Sequence, residues 1–198
     1  MARPSLAATR REQILDALER CLVRDGLERT SLQSVAAEAG VARPLIRHYF
    51  GNRDALLAAA VERAMVAYRA DLEAALRAQP PGGDCLDAFL DYLFLGRFVG
   101  NADRDRIFQA LFATADDAGS RRLLRDTYRR FEDVCVAALR TAAPEAPAAA
   151  TRATAYAIAC LAEQSATFLA IGFPRTRARA ARSAAAALAR GLVEGSHA

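Results

Sequence analysis

Arg43 and Arg47 are the side chains best suited, by type and position, to read a base pair. Arg43 stands just before Pro44, whose ring favours the first position of a helix, and Arg47 follows within that helix. An arginine near the N-terminal end of a short helix can enter the major groove and donate two parallel hydrogen bonds to a guanine. His48 is either a further contact or a structural or merely exposed histidine. The predicted chemistry is recognition of DNA bases.

Polar and basic side chains that flank this helix are suited to hold the DNA backbone. The free N–H groups and the dipole at the helix N-terminus also attract phosphate. Such contacts set the register of a protein on DNA without reading the sequence. Arg10 and Arg11, at the start of the first predicted helix, lie near where a basic arm could reach phosphate or a minor groove. The predicted DNA contacts are Arg10, Arg11, Thr30, Ser31, Arg43, Pro44, Arg47, His48, Tyr49 and Arg53.

A capped helix and a glycine turn must position the reading helix. Thr30, with Gln33 three residues later, predicts a capping box, and Gly40 predicts a left-handed helix end followed by a tight reversal. Pro44 is expected to push Arg43 out of the α region. The apolar residues of the two helices recur at helical spacing and are expected to face inwards: Leu32, Val35, Ala36 and Ala39, then Ile46, Tyr49 and Phe50. The segment from Thr30 to Leu57 therefore predicts a helix-turn-helix, with Leu45 towards solvent.

The order ALERCLVRDGLERTSLQSVAAEAGVARPLIRHYFGNRDALLAAAVERAM resembles the N-terminal domain of the TetR/AcrR family of transcriptional regulators, over roughly residues 8 to 65. Two positions depart from the family pattern. Ala42 stands where many members carry a serine, and Arg47 stands where many show an exposed tyrosine, so base preference does not transfer. The later segment DRIFQALFATADDAGSRRLLRDTYRRF faintly resembles the choline-responsive members. The resemblance implies a two-fold dimer that reads palindromic sites and responds to a small molecule.

Outside this motif, glycine and proline residues interrupt a pattern that is otherwise nearly all helical. The predicted fold class is therefore all-α with about nine helices. We expect a helix-turn-helix DNA-binding domain over residues 1–52 and a helical effector-binding and dimerisation domain over residues 53–198. We call the DNA-binding domain the head and the effector-binding domain the body. The fourth helix packs on the head at one end and enters the body at the other, so it is the expected mechanical link between them. Outside the motif, the predicted helices run from Leu6 to Asp25, Arg53 to just before Pro80, Asp84 to Val99, Ala102 to Thr114, Asp117 to Thr141, Ala148 to Ile171 and Arg175 to Val193.

Composition agrees with a regulator of this size without proving it. The 198 residues carry a net charge of +4, which suits a nucleic-acid binder, and all 27 basic residues are arginine. The four cysteines, Cys21, Cys85, Cys135 and Cys160, form no metal-ligand or CxxC pattern. We interpret them as buried small hydrophobes, with a redox-sensing thiol as the alternative. No metal, cofactor, signal peptide or membrane span is expected, and the expected location is the cytoplasm.

Small side chains at helical spacing on the last two predicted helices indicate a homodimer interface. Small residues let helices approach closely, and two such pairs can form a symmetric four-helix interface. The alternative is that the stripe only reflects a composition rich in alanine. The predicted interface residues are Ala159, Ala162, Ala166, Ala181, Ala185 and Leu188.

Aromatic residues with few polar neighbours predict an effector pocket in the body, because small-molecule sites are mostly apolar with a few placed polar groups. Glu163 sets an acid within an otherwise apolar helix. It could meet a cationic ligand or an arginine, or lie in water at the dimer edge. The predicted pocket residues are Tyr92, Phe108, Gln109, Phe112, Tyr128, Glu163, Gln164 and Thr167.

Three classes of function compete for this sequence. A helical enzyme is disfavoured because the chain shows no nucleophile–base pair, no metal cluster and no glycine-rich phosphate loop. A ligand-responsive repressor, which binds double-stranded DNA as a dimer and is released by an unidentified small molecule, fits best. The alternative is a helical ligand-binding or interaction protein without operator binding.

Overall fold

The computed structural model describes residues 5–78, 84–96 and 118–195, and within these ranges it contains eight helices and no strand. This confirms the all-α prediction; the predicted helix from Ala102 to Thr114 lies outside the described residues. The helices are α1 (Leu6–Arg29), α2 (Leu32–Ala39), α3 (Arg43–Phe50), α4 (Arg53–Arg77), α5 (Cys85–Phe94), α6 (Ala118–Ala142), α7 (Ala148–Ala170) and α8 (Arg175–Glu194).

The described residues divide into two compact units. The first contains residues 5–66 and 118–125, and the second contains residues 67–78, 84–96 and 126–195. In the first unit α1 packs on α2 and α2 on α3. In the second unit α7 packs on α8, and α5 packs on both. Helix α4 therefore continues past the end of the first unit at Val66.

The core of the first unit is apolar and is drawn from its helices at helical spacing. Fully buried members are Ile14 and Leu18 on α1, Val35 on α2, Ile46 on α3 and Val61 on α4. Burying an aliphatic side chain of this size contributes about 1.5–3 kcal/mol. Packing around Ile46 consequently holds the short helix α3, which is too short to be stable alone.

Gly26 and Gly40 both take a positive φ, Gly26 at a kink inside α1 and Gly40 at the end of α2. Gly26 has φ of 74° and interrupts α1 next to the predicted end at Asp25, although helical hydrogen bonding resumes as far as Arg29. Gly40 has φ of 63° and closes α2, and its backbone N–H donates to Ala36 O and Ala37 O. The predicted helix end at Gly40 is confirmed.

Replacing Gly40 with alanine is expected to destabilise the first unit by about 1–2 kcal/mol, because a Cβ is strained at this φ. No other atom lies within 4 Å of the position a Cβ would take, so backbone strain is the whole expected effect. Gly40→Asn is the matched variant, since asparagine tolerates this conformation, and it should cost less. Thermal denaturation of the three proteins checks the order, and an unchanged Tm in Gly40→Ala would contradict it.

The interpretation of the four cysteines as buried small hydrophobes holds for only two of them. Cys21 and Cys135 are buried, whereas Cys85 and Cys160 are exposed. Cys85 begins α5, one residue after its N-cap Asp84, and Cys160 lies on the outer face of α7. Burial raises the pKa of the Cys135 thiol to about 12, with smaller contributions from the charges of Glu132 and Glu163.

Candidate nucleic-acid interface

Helix α3 begins at Arg43, one residue earlier than predicted. Ala42 is its N-cap, with φ of −71° and ψ of 138° and no side-chain cap, and Leu45 N donates to Ala42 O over 2.9 Å. The prediction that Pro44 keeps Arg43 out of the α region was wrong, because that preference is a steric bias and not a prohibition. Pro44 still fits the first turn, where its missing N–H would have no helical partner.

The outward face of α3 carries two cations. Ile46 and Phe50 are buried beneath the helix, while Arg43 and Arg47 are exposed. No described side chain forms a hydrogen bond or ion pair with either guanidinium. The two residues are four apart, which places them on one side of the helix, one turn apart. Both guanidinium groups are therefore available for a bidentate contact with a base edge or a phosphate.

The other predicted contacts on α3 surround this pair. His48 is exposed and meets the half-buried ring of Tyr49 edge-on, at 5.2 Å between ring centroids. Pro44 is also exposed, and Leu45 is half-buried, although it was predicted to face solvent. The exposed surface of α3 is therefore small, basic and partly aromatic.

Ser31, and not Thr30, caps α2. Ser34 N donates to Ser31 Oγ over 3.1 Å, and Ser31 N donates to Ser34 Oγ over 2.8 Å. The predicted capping box of Thr30 with Gln33 was therefore wrong by one residue, and the signal in the sequence was the Ser31–Ser34 spacing. Thr30 is only 3% exposed, and its hydroxyl donates to Gly26 O over 2.7 Å. Because that side chain is turned inwards, we remove Thr30 from the proposed DNA contacts.

Arg53 is also directed into the protein. Its Nε donates to Thr30 O over 3.0 Å, and its Nη2 donates to Leu27 O over 2.6 Å. Both carbonyls lie at the C-terminal end of α1, where a cation is favoured by the helix dipole. Arg53 therefore joins the start of α4 to the end of α1, and we remove it too from the proposed contacts.

The basic start of α1 holds the ends of α2 and α3. The Arg11 guanidinium donates to Tyr49 O and lies over the Phe50 ring, 4.3 Å from its centroid. Arg10 donates to Gln13 Oε1 over 2.7 Å, and Gln13 Nε2 donates to Ala39 O over 2.7 Å. Arg11 is thus a positioning residue for the reading helix. Gln13 was missed in the sequence, because nothing in its neighbours shows that it reaches the end of α2.

Replacing Arg11 with methionine is expected to weaken DNA binding by about 1–2 kcal/mol, because one hydrogen bond to Tyr49 O and the cation–π contact disappear. If Arg11 only positions α3, the loss should come with faster hydrogen exchange of the α3 amides in the free protein. It should also leave the dependence of affinity on salt unchanged, whereas loss of a phosphate contact lowers that slope by about one. A lower slope with unaltered exchange would instead make Arg11 a phosphate contact.

Further ion pairs join the helices of the first unit. Arg63 on α4 contacts Glu12 at 3.0 Å, Asp16 at 2.7 Å and Glu19 at 2.5 Å, all on α1. Burial alone would lower the pKa of Arg63, but hydrogen bonds to Glu19, Glu12 and Asp16 outweigh it and leave the pKa above its ordinary value. Sequence reasoning missed this cluster, since its members lie on separate helices.

In the second unit, the structure brings together part of the predicted effector pocket. Tyr128 donates to Glu163 Oε2 over 3.3 Å, so the acid noted in the sequence has a tyrosine partner. Burial first, and then the charge of Glu163, raise the pKa of Tyr128. Tyr92 is buried and donates to Tyr68 O over 3.0 Å.

Two further predicted pocket residues lie on the same helix as Glu163 but face solvent. Gln164 and Thr167 are exposed, and the Thr167 hydroxyl donates to Glu163 O within its own helix. Phe108, Gln109 and Phe112 lie outside the described residues.

The alanine stripes pack within the chain and do not form the outer surface predicted for a dimer. Ala162 and Ala185 are fully buried and Ala159 and Ala166 are each 7% exposed, in a unit where α7 and α8 pack on each other and on α5. Ala181 is half-buried and Leu188 remains 43% exposed. The periodicity marks the buried side of each helix, and the dimer interface itself stays a prediction.

Comparison with known proteins finds a family model that matches the helix-turn-helix region. Residues 14–60 match the model described as bacterial regulatory proteins, tetR family. A transcriptional regulator named BetI, from Burkholderia cenocepacia strain HI2424, is 36% identical over 89 residues, which cover 39% of this chain and 46% of the relative. The chain thus spans about half the length of the curated relatives it matches first.

Solved structures extend the similarity in fold to nearly the whole chain. A putative transcriptional regulator from Pseudomonas aeruginosa PAO1 superposes with a TM-score of 0.76 at 23% identity, over 96% of this chain and 92% of that one. The multidrug binding protein EbrR, solved with imidazole, gives a TM-score of 0.68 at 22% identity, over 94% of this chain and 96% of that one. Within the described residues, no helix is both long enough and apolar enough to cross a bilayer.

Proposed function

We propose, on the premise that residues 14–60 are a helix-turn-helix domain of the tetR family, that this protein is a DNA-binding transcriptional regulator. In this proposal it represses transcription from a palindromic operator as a dimer, and a small molecule releases it. The carrying observation is the exposed face of α3, where Arg43 and Arg47 have no partner among the described residues. Buried Ile46 and Phe50 hold that face outwards.

The proposed contacts follow from exposure and charge. Arg43 and Arg47 read base edges in the major groove, and His48 adjoins them. Exposed Ser31, at the start of α2, and half-buried Tyr49 contact backbone phosphates, which fix the register. Arg10, which is half-buried and bonded to Gln13, lies at the periphery and contributes charge.

The proposed dimer uses the outer faces of α7 and α8, not the alanine stripes. Tyr156 on α7 is 63% exposed and interacts with Cys160, one helical turn further on. Leu188 on α8 is also exposed. A contiguous surface of such apolar side chains is typical of a face covered by a partner. Two-fold symmetry would place the two reading helices one turn of DNA apart, about 34–36 Å.

The proposed effector site includes the Tyr128–Glu163 pair, in which a half-buried phenol donates to a half-buried carboxylate. Release requires that the effector bind the DNA-incompetent state more tightly than the DNA-bound state. Helix α4 carries the change in this proposal, because it begins at Arg53 beside the helix-turn-helix and extends to Arg77.

Selection of bound sequences from random duplex DNA, by the full-length protein, tests the proposal. We expect a palindrome whose half-sites are about one helical turn apart, and an affinity that falls steeply with salt as phosphate contacts are lost. Adding candidate small molecules to the selected complex should release it for at least one of them. Enrichment of no sequence, or weak binding independent of salt, would favour a helical ligand-binding or interaction protein instead.

A further inference from the structure

We propose that a cleft at the turn between α7 and α8 binds a compact organic anion, a single apolar ring that carries a carboxylate. The cleft has a volume of about 170 Å³. Its walls are mostly apolar and come from the last two turns of α7 and the first two of α8. The side chains that matter for the argument are Gln164, Phe168, Phe173, Arg177, Ala178 and Ala181. Neither Tyr128 nor Glu163 lines it, so it is separate from the proposed effector pair.

The turn itself builds one wall of the cleft. Gly172 takes φ of 92°, in the left-handed region, so the chain reverses directly after α7. Phe173 N then donates to Phe168 O over 2.9 Å. The rings of Phe168 and Phe173 stack, with centroids 5.0 Å apart and planes at 28°. Phe168 and Phe173 both line the cleft, so the turn gives it an apolar, aromatic wall.

A positive charge stands at the same wall. The Arg177 guanidinium lies over the Phe173 ring, 4.6 Å from its centroid, and no described acid forms an ion pair with it. Pro174 is the N-cap of α8 and supplies no side-chain cap, so the first turn of this long helix also favours an anion. The cleft thus combines an apolar slot with a cation and a positive helix end, which is the complement of an aromatic carboxylate.

The volume sets the size of the ligand. An apolar cavity of about 150 Å³ accommodates a molecule the size of benzene, whereas drug-sized ligands need about 300 Å³ or more. At about 170 Å³ the cleft fits one ring with a small substituent. Benzoate is therefore the probe we choose, with benzyl alcohol as the neutral molecule of similar size.

The test is a titration of the full-length protein, without DNA, followed by NMR shifts of labelled alanine and phenylalanine. Benzoate is expected to shift Ala178, Ala181 and Phe173 and to bind at least about tenfold more tightly than benzyl alcohol, because one charge-assisted contact adds about 1.4 kcal/mol or more. Arg177→Gln should remove that preference. Ala181→Leu should fill the slot and abolish binding, while Ala181→Ser, which keeps the small volume, should retain it.

Three results would overturn the proposal: no binding of benzoate, binding that survives both Arg177→Gln and Ala181→Leu, or binding to a monomeric form only. The last result would mean that a second copy of the chain fills the cleft. Circular dichroism and sedimentation of each variant verify folding and assembly. Because DNA takes no part, the outcome does not depend on operator binding, and a protein that binds no DNA can still be tested in this way.

Discussion

The double variant Arg43→Ala/Arg47→Ala is expected to lose about 2–6 kcal/mol of operator-binding free energy, since each base contact of this kind contributes about 1–3 kcal/mol. Both guanidinium groups are exposed and unpaired among the described residues, so their removal should leave the fold intact. Arg47→Ala alone should cost about 1–3 kcal/mol and relax the preference at one position of the half-site. Fluorescence anisotropy with the selected operator and with single-base variants measures both effects.

The matched control for charge is Arg140→Ala/Arg179→Ala, which removes two exposed arginines from α6 and α8. Net charge falls equally in both double variants, so a general loss of attraction to DNA would weaken both alike. We expect the control to bind the operator within about twofold of the parent protein at 150 mM salt. Equal losses in the two variants would contradict base reading by α3 and leave only a diffuse electrostatic effect.

Ile46→Ala is expected to destabilise the first unit by about 2–5 kcal/mol, because truncating a fully buried aliphatic side chain leaves a cavity. Ile46 never faces DNA, yet α3 depends on it for its position. Operator affinity should therefore fall with stability, and it should recover in part at lower temperature, where the folded head is more populated. Ile46→Val, at about 0.5–1.5 kcal/mol, is the graded control.

Denaturant unfolding followed by hydrogen exchange of the α1–α3 amides separates this effect from a lost contact. A loss of affinity with no loss of stability would contradict the expectation that Ile46→Ala weakens binding through the stability of the first unit. The arginine and isoleucine variants thus probe opposite sides of α3. The arginine variant should change binding without stability, and the isoleucine variant should change both.

Local signals in the sequence predicted the framework of the head well. Gly40 marked the end of α2, and Ile46 and Phe50 marked the buried side of α3, because a left-handed turn and a helical stripe each depend on near neighbours in the chain. The start of α3 at Arg43 and the Ser31 cap were each missed by one residue. Thr30 and Ser31 were both suited to cap α2, and Ala42 caps α3 without any side-chain bond that the sequence could signal.

Contacts between residues far apart in the chain could not be predicted from the sequence. The partners of Arg53, at Leu27 and Thr30, lie more than twenty residues away, and a basic residue beside a DNA-reading helix gives no sign that it points inwards. The alanine periodicity on the last two helices was real, but periodicity shows which face is buried and does not name the partner. Four of the six predicted interface residues are buried within a single chain, where α7 packs on α8 and on α5.

Arg11, Gln13 and Arg53 share one property: each donates to a main-chain carbonyl at the end of a helix. A main-chain carbonyl is present whatever side chain its residue bears. These hydrogen bonds therefore do not depend on which side chains α3 exposes. Substitutions at Arg43, Arg47 and His48 can therefore accumulate without loosening the scaffold. The operator preference of this protein should be unusually easy to rewrite, in evolution or by design.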